Sequence, residues 1–383
     1  MTRVTFLLSK DPIAERGGDL DTSRVVMGLA ATAFEVSAIC LSSSSPGTST
    51  VDIVPGGLAL TRVPKPAYVR RQLLVDSIRT RRSIVHVRFD LEPLLPAIEA
   101  SDADVFVAEH SYMAETFMRS RHFGTKGLVV NTINTESGVW RSTRGLLGRL
   151  EWRRILRDEL RVAGAAHAVG VYDREEADLY RQHGVHARWL DVTRPPVTRL
   201  EVSTTPPRLV HLGRRDWPPN QEGFLEALRL WPAISAGIPG AELCIVGLKK
   251  PGATDPRLPP GVRDLGFVDD LDEFLGTCRA LVAPIRTGGG VRAKLLDAAS
   301  RGLPVVATTP AIGSLGPLFG LAAHDSDEDF IRHCRLLLQD RAAACAAGSR
   351  LYELNERHWA SGKPRRGIEG LVRLAETRFG HGR

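Results

Sequence analysis

Short apolar runs recur along the chain, each closed by glycine, proline or charge. Between them lie longer stretches whose apolar positions repeat with helical spacing. The runs suit buried strands and the stretches suit helices packed on them. In the first half the pattern predicts strands at Val4–Leu8, Glu35–Leu41, Ile84–Val87, Val105–Ala108, Leu128–Asn131 and Ala166–Gly170. Helices are predicted at 22–32, 91–99, 111–121 and 149–163. A Pro/Thr-rich connector from Thr193 to Pro207 then breaks the rhythm. It restarts with strands at Leu209–Leu212, Glu242–Val246, Val262–Leu265, Ala280–Pro284 and Val305–Ala307, and helices at Asn220–Trp231, Leu271–Cys278 and 366–377. Alternation of this kind predicts an α/β fold: two Rossmann-like, doubly wound parallel-sheet domains facing a cleft. The expected domains are 1–195 and 196–362.

One unit carries more chemistry than the rest. In PIRTGGGVRAKLLDAASRGLPVVATT (284–309), Gly288, Gly289 and Gly290 feed a predicted helix that bears Arg292, Lys294 and Asp297 and ends at Gly302. A glycine loop before a helix N-terminus offers bare N–H groups and the positive end of the helix dipole, which suits a phosphate. Lys294 adds full charge, and Asp297, three residues on, lies near the same helix face, where a carboxylate can hold sugar hydroxyls. Ordinary α/β scaffolding uses the same glycines merely to turn the chain, so the spacing alone leaves both readings open. The loop is neither a Walker A, since Leu295 follows Lys294, nor a GxGxxG fingerprint.

Composition narrows the partners. The 383 residues are 43% hydrophobic, and no apolar run approaches the roughly 20 residues a membrane span needs. The chain enters its first strand almost at once, and we expect neither a signal nor a transit peptide. Five scattered cysteines without CxxC spacing predict a reducing, cytoplasmic setting without disulfides or zinc. The net charge of +7 fits anionic ligands. Arginine is nonetheless spread along the whole chain and aromatics are only 6%, which argues against nucleic acid. The densest basic stretch, Arg70 to Arg88, includes the amphipathic segment VRRQLLVDSI. It reads first as a solvated helix face, with an anionic membrane surface as the alternative.

The second half then shows a larger pattern. RLVHLGRRDWPPNQEGFLEAL, PGAELCIVG and GVRDLGFVDDLDEFLGTCRALVAPIRTGGGVRAKLLDAASRGLPVVAT, in that order, resemble the nucleotide-sugar domain of GT-B glycosyltransferases, nearest the retaining, metal-independent family 4 type. The resemblance implies GT-B architecture, a UDP- or GDP-sugar donor, no cofactor and no metal. It also implies that the helix within 363–383 crosses back onto the first domain. By matching motif positions, Arg214 and Arg215 are expected near the donor diphosphate, and Gly289–Val291 with Arg292 and Lys294 at the distal phosphate. Phe267 and Val268 fall at the base, and Asp297 at the ribose. Gly17 and Gly18 lie in the first loop, where such enzymes carry a donor-side segment.

Three departures stand out. Gly289, eight residues before Asp297, replaces the first glutamate of the family's E-x7-E pair, as it does in branches with GxGxRxK. Asn220 stands where a lysine is frequent. The stretch Thr132-Ile133-Asn134 has no histidine where many relatives place one near the reacting sugar. Asn134, Glu136, His110 and Glu109 are therefore the candidates for that role. Asp269, Asp270 and Asp272 open a helix, where capping explains them better than a metal does.

A charged, preorganised pocket can stabilise a departing diphosphate, and in a retaining mechanism that phosphate can take the acceptor proton, so no glycosidase-type carboxylate pair is required. The expected activity is transfer from a nucleoside-diphosphate sugar to an acceptor, a small soluble metabolite being favoured over a glycan or lipid. A GT-B epimerase and an inactive nucleotide-sugar-binding protein are the alternatives. Peripheral membrane contact is not favoured, and the oligomeric state stays open.

Overall fold

The computed structural model describes residues 1–249, 252, 254 and 256–380. They form two compact units. One comprises Met1–Val192, Gly289–Val291 and Gly362–Arg383; the other comprises Thr193–Gly288 and Arg292–Ser361.

The first unit holds eight strands: β1 Arg3–Leu8, β2 Glu35–Ser42, β3 Gly47–Val51, β4 Leu58–Pro64, β5 Val105–Glu109, β6 Gly127–Thr132, β7 Ala168–Val171 and β8 Ala187–Trp189. Their order is β3-β4-β2-β1-β5-β6-β7-β8, parallel except for the β3/β4 pair. Strands β1, β5 and β6 are buried on both faces, which is why they read as unbroken apolar runs. Helix Lys363–Gly380 packs in this unit against β6 and β7, with Ile368, Leu371, Val372 and Ala375 buried. A Cβ on Gly170 of β7 would lie 2.6 Å from a Leu371 methyl, so only glycine admits the helix so closely. The last residues, 381–383, lie outside the described ones.

The second unit is a five-stranded parallel sheet in the order β11-β10-β9-β12-β13. Its strands are β9 Arg208–Leu212, β10 Glu242–Val246, β11 Val262–Gly266, β12 Ala280–Ala283 and β13 Val305–Ala307. Phe224, Leu228 and Trp231 of helix Pro218–Ser235 pack with Leu209, Ile245, Val282 and Phe330 in its core. Among the described residues no helix is long and apolar enough to cross a membrane.

One predicted strand is a helix. Ile84–Val87 belongs to helix Ile84–Phe89, because Ser83 caps it, its side chain accepting from the His86 N–H, while buried Asp158 accepts from the Ser83 N–H at 2.6 Å. A short apolar run fits a buried helix as well as a strand, and the cap decides. The predicted helix 111–121 is a 3-10 turn, Ser111–Met113, followed by helix Ala114–Arg119. Strands β3, β4 and β8 carry no continuous apolar run and escape the sequence pattern.

Candidate active site

Each sheet reverses its strand order once, between β1 and β5 in the first unit and between β9 and β12 in the second. In open α/β sheets ligands bind at the carboxyl ends of the strands flanking such a reversal. The sequence-predicted residues gather at these two places.

In the second unit β9 runs into Gly213, whose φ of 146° and closeness to Asn220 (2.6 Å from a Cβ placed on Gly213) both demand glycine. Arg214 is exposed and grips Asp216 through Nε (3.2 Å) and Nη2 (2.6 Å). Arg215 points the other way. It is buried, donates to Asp264 Oδ2 at 2.6 Å and lies over the Phe224 ring at 4.5 Å. The Asp264 carboxylate also accepts from the Gly266 N–H at 3.2 Å, so Arg215 braces the turn that presents Phe267 and Val268. Phe267 is exposed and Val268 half-buried.

The glycine loop leaves β12 at Ala283. Glu222 ties down its start by accepting from the Arg286 N–H (3.2 Å) and the Thr287 hydroxyl. Gly288 and Gly290 have φ of 135° and 72°, conformations that favour glycine. Gly289–Val291 sits in the first unit, where the Val291 N–H donates to the Ile133 carbonyl at 2.9 Å and a Cβ on Gly290 would lie 2.4 Å from that oxygen. The helix begins later than the sequence suggests. It spans Ala293–Arg301, with Arg292 at the N-cap position, its Nε bonded to the Pro310 carbonyl (3.0 Å), and no side chain capping the helix.

Lys294 is therefore in the first turn, next to an uncapped positive helix end. Its Nζ donates to Asn220 Oδ1 at 2.8 Å, and Asn220 Nδ2 in turn donates to the Arg214 carbonyl at 3.0 Å. Among the described residues no carboxylate forms an ion pair with Lys294, and burial alone holds its ammonium down to about 7. Asp297 is paired instead with Arg194, Nε to Oδ1 at 2.8 Å, with Arg301 at 3.8 Å. Asp270 caps helix Leu271–Leu275, accepting from the Glu273 N–H at 2.9 Å.

In the first unit, Glu109 ends β5 and His110 follows it. Glu109 is buried, accepts from Ser23 Oγ (2.9 Å) and Asn131 Nδ2 (2.6 Å), and is pushed up to about 7 by burial. His110 adopts φ 87°, ψ 142°, a costly backbone for a non-glycine residue, and its N–H donates to the Asn131 carbonyl at 3.0 Å. The imidazole stacks on Tyr112 at 4.9 Å, and burial brings its pKa down to about 4, so the ring is neutral with Nδ1 unbonded. It lines a small pocket with Glu109, Ser9, Lys10 and Asp19. Burial opposes the Asp19 charge, but the Lys10 ammonium at 2.5 Å outweighs it and holds Asp19 below the usual carboxylate range. Gly17 and Gly18 open the helix that carries Asp19.

Asn134 and Glu136 lie after β6. Asn134 Nδ2 donates to Glu136 Oε1 at 3.3 Å, and burial raises the Glu136 pKa. Glu136 begins helix Glu136–Thr143, with Thr135 at the N-cap position but making no side-chain cap. Glu176 and Glu159 cover that helix end instead, accepting from the Thr135 and Ser137 N–H groups. Sequence reasoning passed over Lys10, Asp19 and Arg194, and named Asn220 only as a departure from the family motif. Of the three passed over, only Asp19 carried a signal, directly after Gly17-Gly18.

Comparison with known proteins fits this arrangement. Residues 206–340 match the family model described as glycosyl transferases group 1. No curated protein matches the chain by sequence. Among solved structures, sucrose-phosphate synthase from Thermosynechococcus elongatus is similar at 15% identity and TM-score 0.68, over 100% of this chain and 98% of that one. WaaG, a glycosyltransferase involved in lipopolysaccharide biosynthesis, is similar at 15% identity and TM-score 0.63, over 96% and 99%. HepE of Anabaena, in complex with UDP and glucose, is similar at 11% identity and TM-score 0.63, over 97% and 99%. The fold is GT-B, with two Rossmann-like units, and the second unit carries a group 1 glycosyl transferase domain. The domain matched there is of the glycosyltransferase class.

Proposed function

We propose that the second unit binds a nucleoside-diphosphate sugar, with the diphosphate at Lys294 and the start of helix Ala293–Arg301, and that the enzyme transfers the sugar with retention to an acceptor hydroxyl. Lys294 carries this reading. A half-buried ammonium whose one bonded partner among the described residues is an amide oxygen is destabilised when empty and stabilised by an anion. The uncapped start of helix Ala293–Arg301 adds dipolar attraction at the same point. UDP is the nucleotide we favour, since HepE has been solved with UDP-glucose and a trehalose-6-phosphate protein of E. coli with UDP-2-fluoroglucose. The charge developing on the leaving diphosphate falls to Lys294 and the helix start, with exposed Arg214 beside them, so we assign no step to a metal. In this scheme the leaving phosphate takes the acceptor proton. His110, neutral and held in a strained backbone, orients a sugar hydroxyl through Nδ1. We keep a small soluble acceptor as the first class to test, with glycans next.

The experiment is a product assay with UDP- and GDP-sugars and a panel of acceptors. A new glycoside with the donor's anomeric configuration, formed equally in the presence of a chelator, supports the reading. An isomerised sugar nucleotide, an inverted product or binding without turnover overturns it.

A further inference from the structure

Helix Arg70–Thr80 of the first unit turns its apolar side to solvent. Ser77 is its single buried residue, whereas Leu74, Val75 and Ile78 are 51%, 56% and 65% exposed. Tyr68 and Val69, just before it, are exposed too. A helix at an ordinary water-facing surface buries that stripe. A second apolar group, Leu146, Leu147 and Leu150, is exposed near the start of helix Gly145–Ala165, at 74%, 51% and 67%. Hydrogen bonds tie the two helices together. Arg154 of the second helix donates to the Ser77 carbonyl (3.0 Å), Ser77 Oγ (3.1 Å) and the Arg82 carbonyl (2.8 Å). At about 100° per residue, Leu147 and Leu150 project within about 40° of Arg154 around the helix axis.

Charge on these two helices is predominantly positive. Arg70, Arg71 and Arg79 on the first helix and Arg149 and Arg153 on the second are all exposed. Between 68 and 81 the only acid is Asp76, and between 145 and 157 the only one is Glu151, which is buried and bound to Arg154. Trp152 lies among these arginines, with Arg153 over its ring at 5.3 Å. Single exposed apolar residues are unremarkable, whereas exposed groups on two hydrogen-bonded helices mark an interaction surface. Guanidinium groups match phosphate geometry, and a surface of uniform negative charge needs no complementary pattern of acids and bases.

We propose that this face docks on the surface of an anionic lipid bilayer, with the Leu/Ile crest in the headgroup region and the arginines on lipid phosphates. The solvated face favoured from sequence gives way because the apolar residues face solvent together with the charged ones. The inference stands on the first unit alone, independent of the donor reading.

The test is flotation of the full chain with phosphatidylcholine vesicles, with and without phosphatidylglycerol. The expected result is partition onto phosphatidylglycerol vesicles alone, weakened by salt. Both Leu74→Glu/Ile78→Glu and Leu147→Glu/Leu150→Glu should lower it at least about tenfold, with thermal stability unchanged because all four residues are exposed. Failure of the wild type to float, or equal flotation of both variants, overturns the proposal. If the variants instead abolish a concentration-dependent dimer and no vesicle binding occurs, the face is a self-association interface and the proposal is wrong.

Discussion

The two sheet reversals are built alike and charged differently. At β1/β5 each charge is answered within the fold: Lys10 by Asp19, and Glu109 by Ser23 and Asn131. At β9/β12 the central charge, Lys294, is answered among the described residues by an amide oxygen. A neutralised, densely hydrogen-bonded end can orient a neutral ligand and place a proton. A cationic end made of glycine backbone and a helix start selects an anion. Topology supplies two equivalent places to bind, and the sign of the uncompensated charge separates their tasks.

The largest expected effect comes from removing that charge. Lys294→Ala should weaken UDP binding by about 1.5–3 kcal/mol, the worth of a charge-assisted hydrogen bond, or roughly ten- to 150-fold in Kd. Lys249→Ala, on an exposed loop, should change it by less than about twofold on the same scale. Calorimetric titration with UDP decides the matter, and comparable losses in the two variants would remove the basis for a cationic site. His110→Ala should do the converse, lowering kcat by about tenfold or more while UDP affinity stays at the wild-type value. A matching loss of UDP affinity would mean that the two ends do not divide the work.

The pH dependence should separate the ends again. Lys294 titrates near 7 in the empty site, and a bound diphosphate raises that value. Above pH 7 binding must then take up a proton, so UDP affinity should fall by up to about tenfold per pH unit until the bound-state pKa is reached. Lys294→Met should abolish the slope, because titration of the nucleotide itself is common to both proteins. The folded pKa lies below that of the unfolded lysine, so the unfolded state holds more protons above pH 7. This group's contribution to stability therefore rises with pH over that range, opposite in direction to the affinity. An affinity that is flat between pH 7 and 9 would place the diphosphate elsewhere.

Much of this was legible in the sequence, for identifiable reasons. The central strands announce themselves because both faces are buried. By contrast β4, with exposed and half-buried residues interleaved, and β3, exposed nearly throughout, are set by pairing at the sheet edge. The glycine loop was legible because left-handed backbone selects a residue type. The partners were not: Asn220 meets Lys294 across 74 residues of sequence, and Arg194 meets Asp297 from the start of the connector. Side-chain partners of this kind are chosen by strand order, which no local pattern encodes. Arg215 has a partner of the same kind. Its place in the GRR motif suggests a phosphate ligand, and the fold pairs it with Asp264 across 49 residues of sequence.

Asp297 gives the smallest and most discriminating effect. The resemblance places it at the donor ribose, while the structure pairs it with the largely buried Arg194. Asp297→Asn keeps the shape and removes the charge, leaving Arg194 poorly compensated, so a loss of stability of about 1–3 kcal/mol is expected whatever the ligand does. Affinity separates the roles. If the carboxylate also accepts ribose hydroxyls, UDP should bind about three- to tenfold more weakly, the worth of about one neutral hydrogen bond, while pyrophosphate affinity stays unchanged. If both ligands weaken together, Asp297 acts through the helix that carries Lys294. If neither weakens, its work is confined to Arg194, and ribose recognition at the cationic end belongs to other groups.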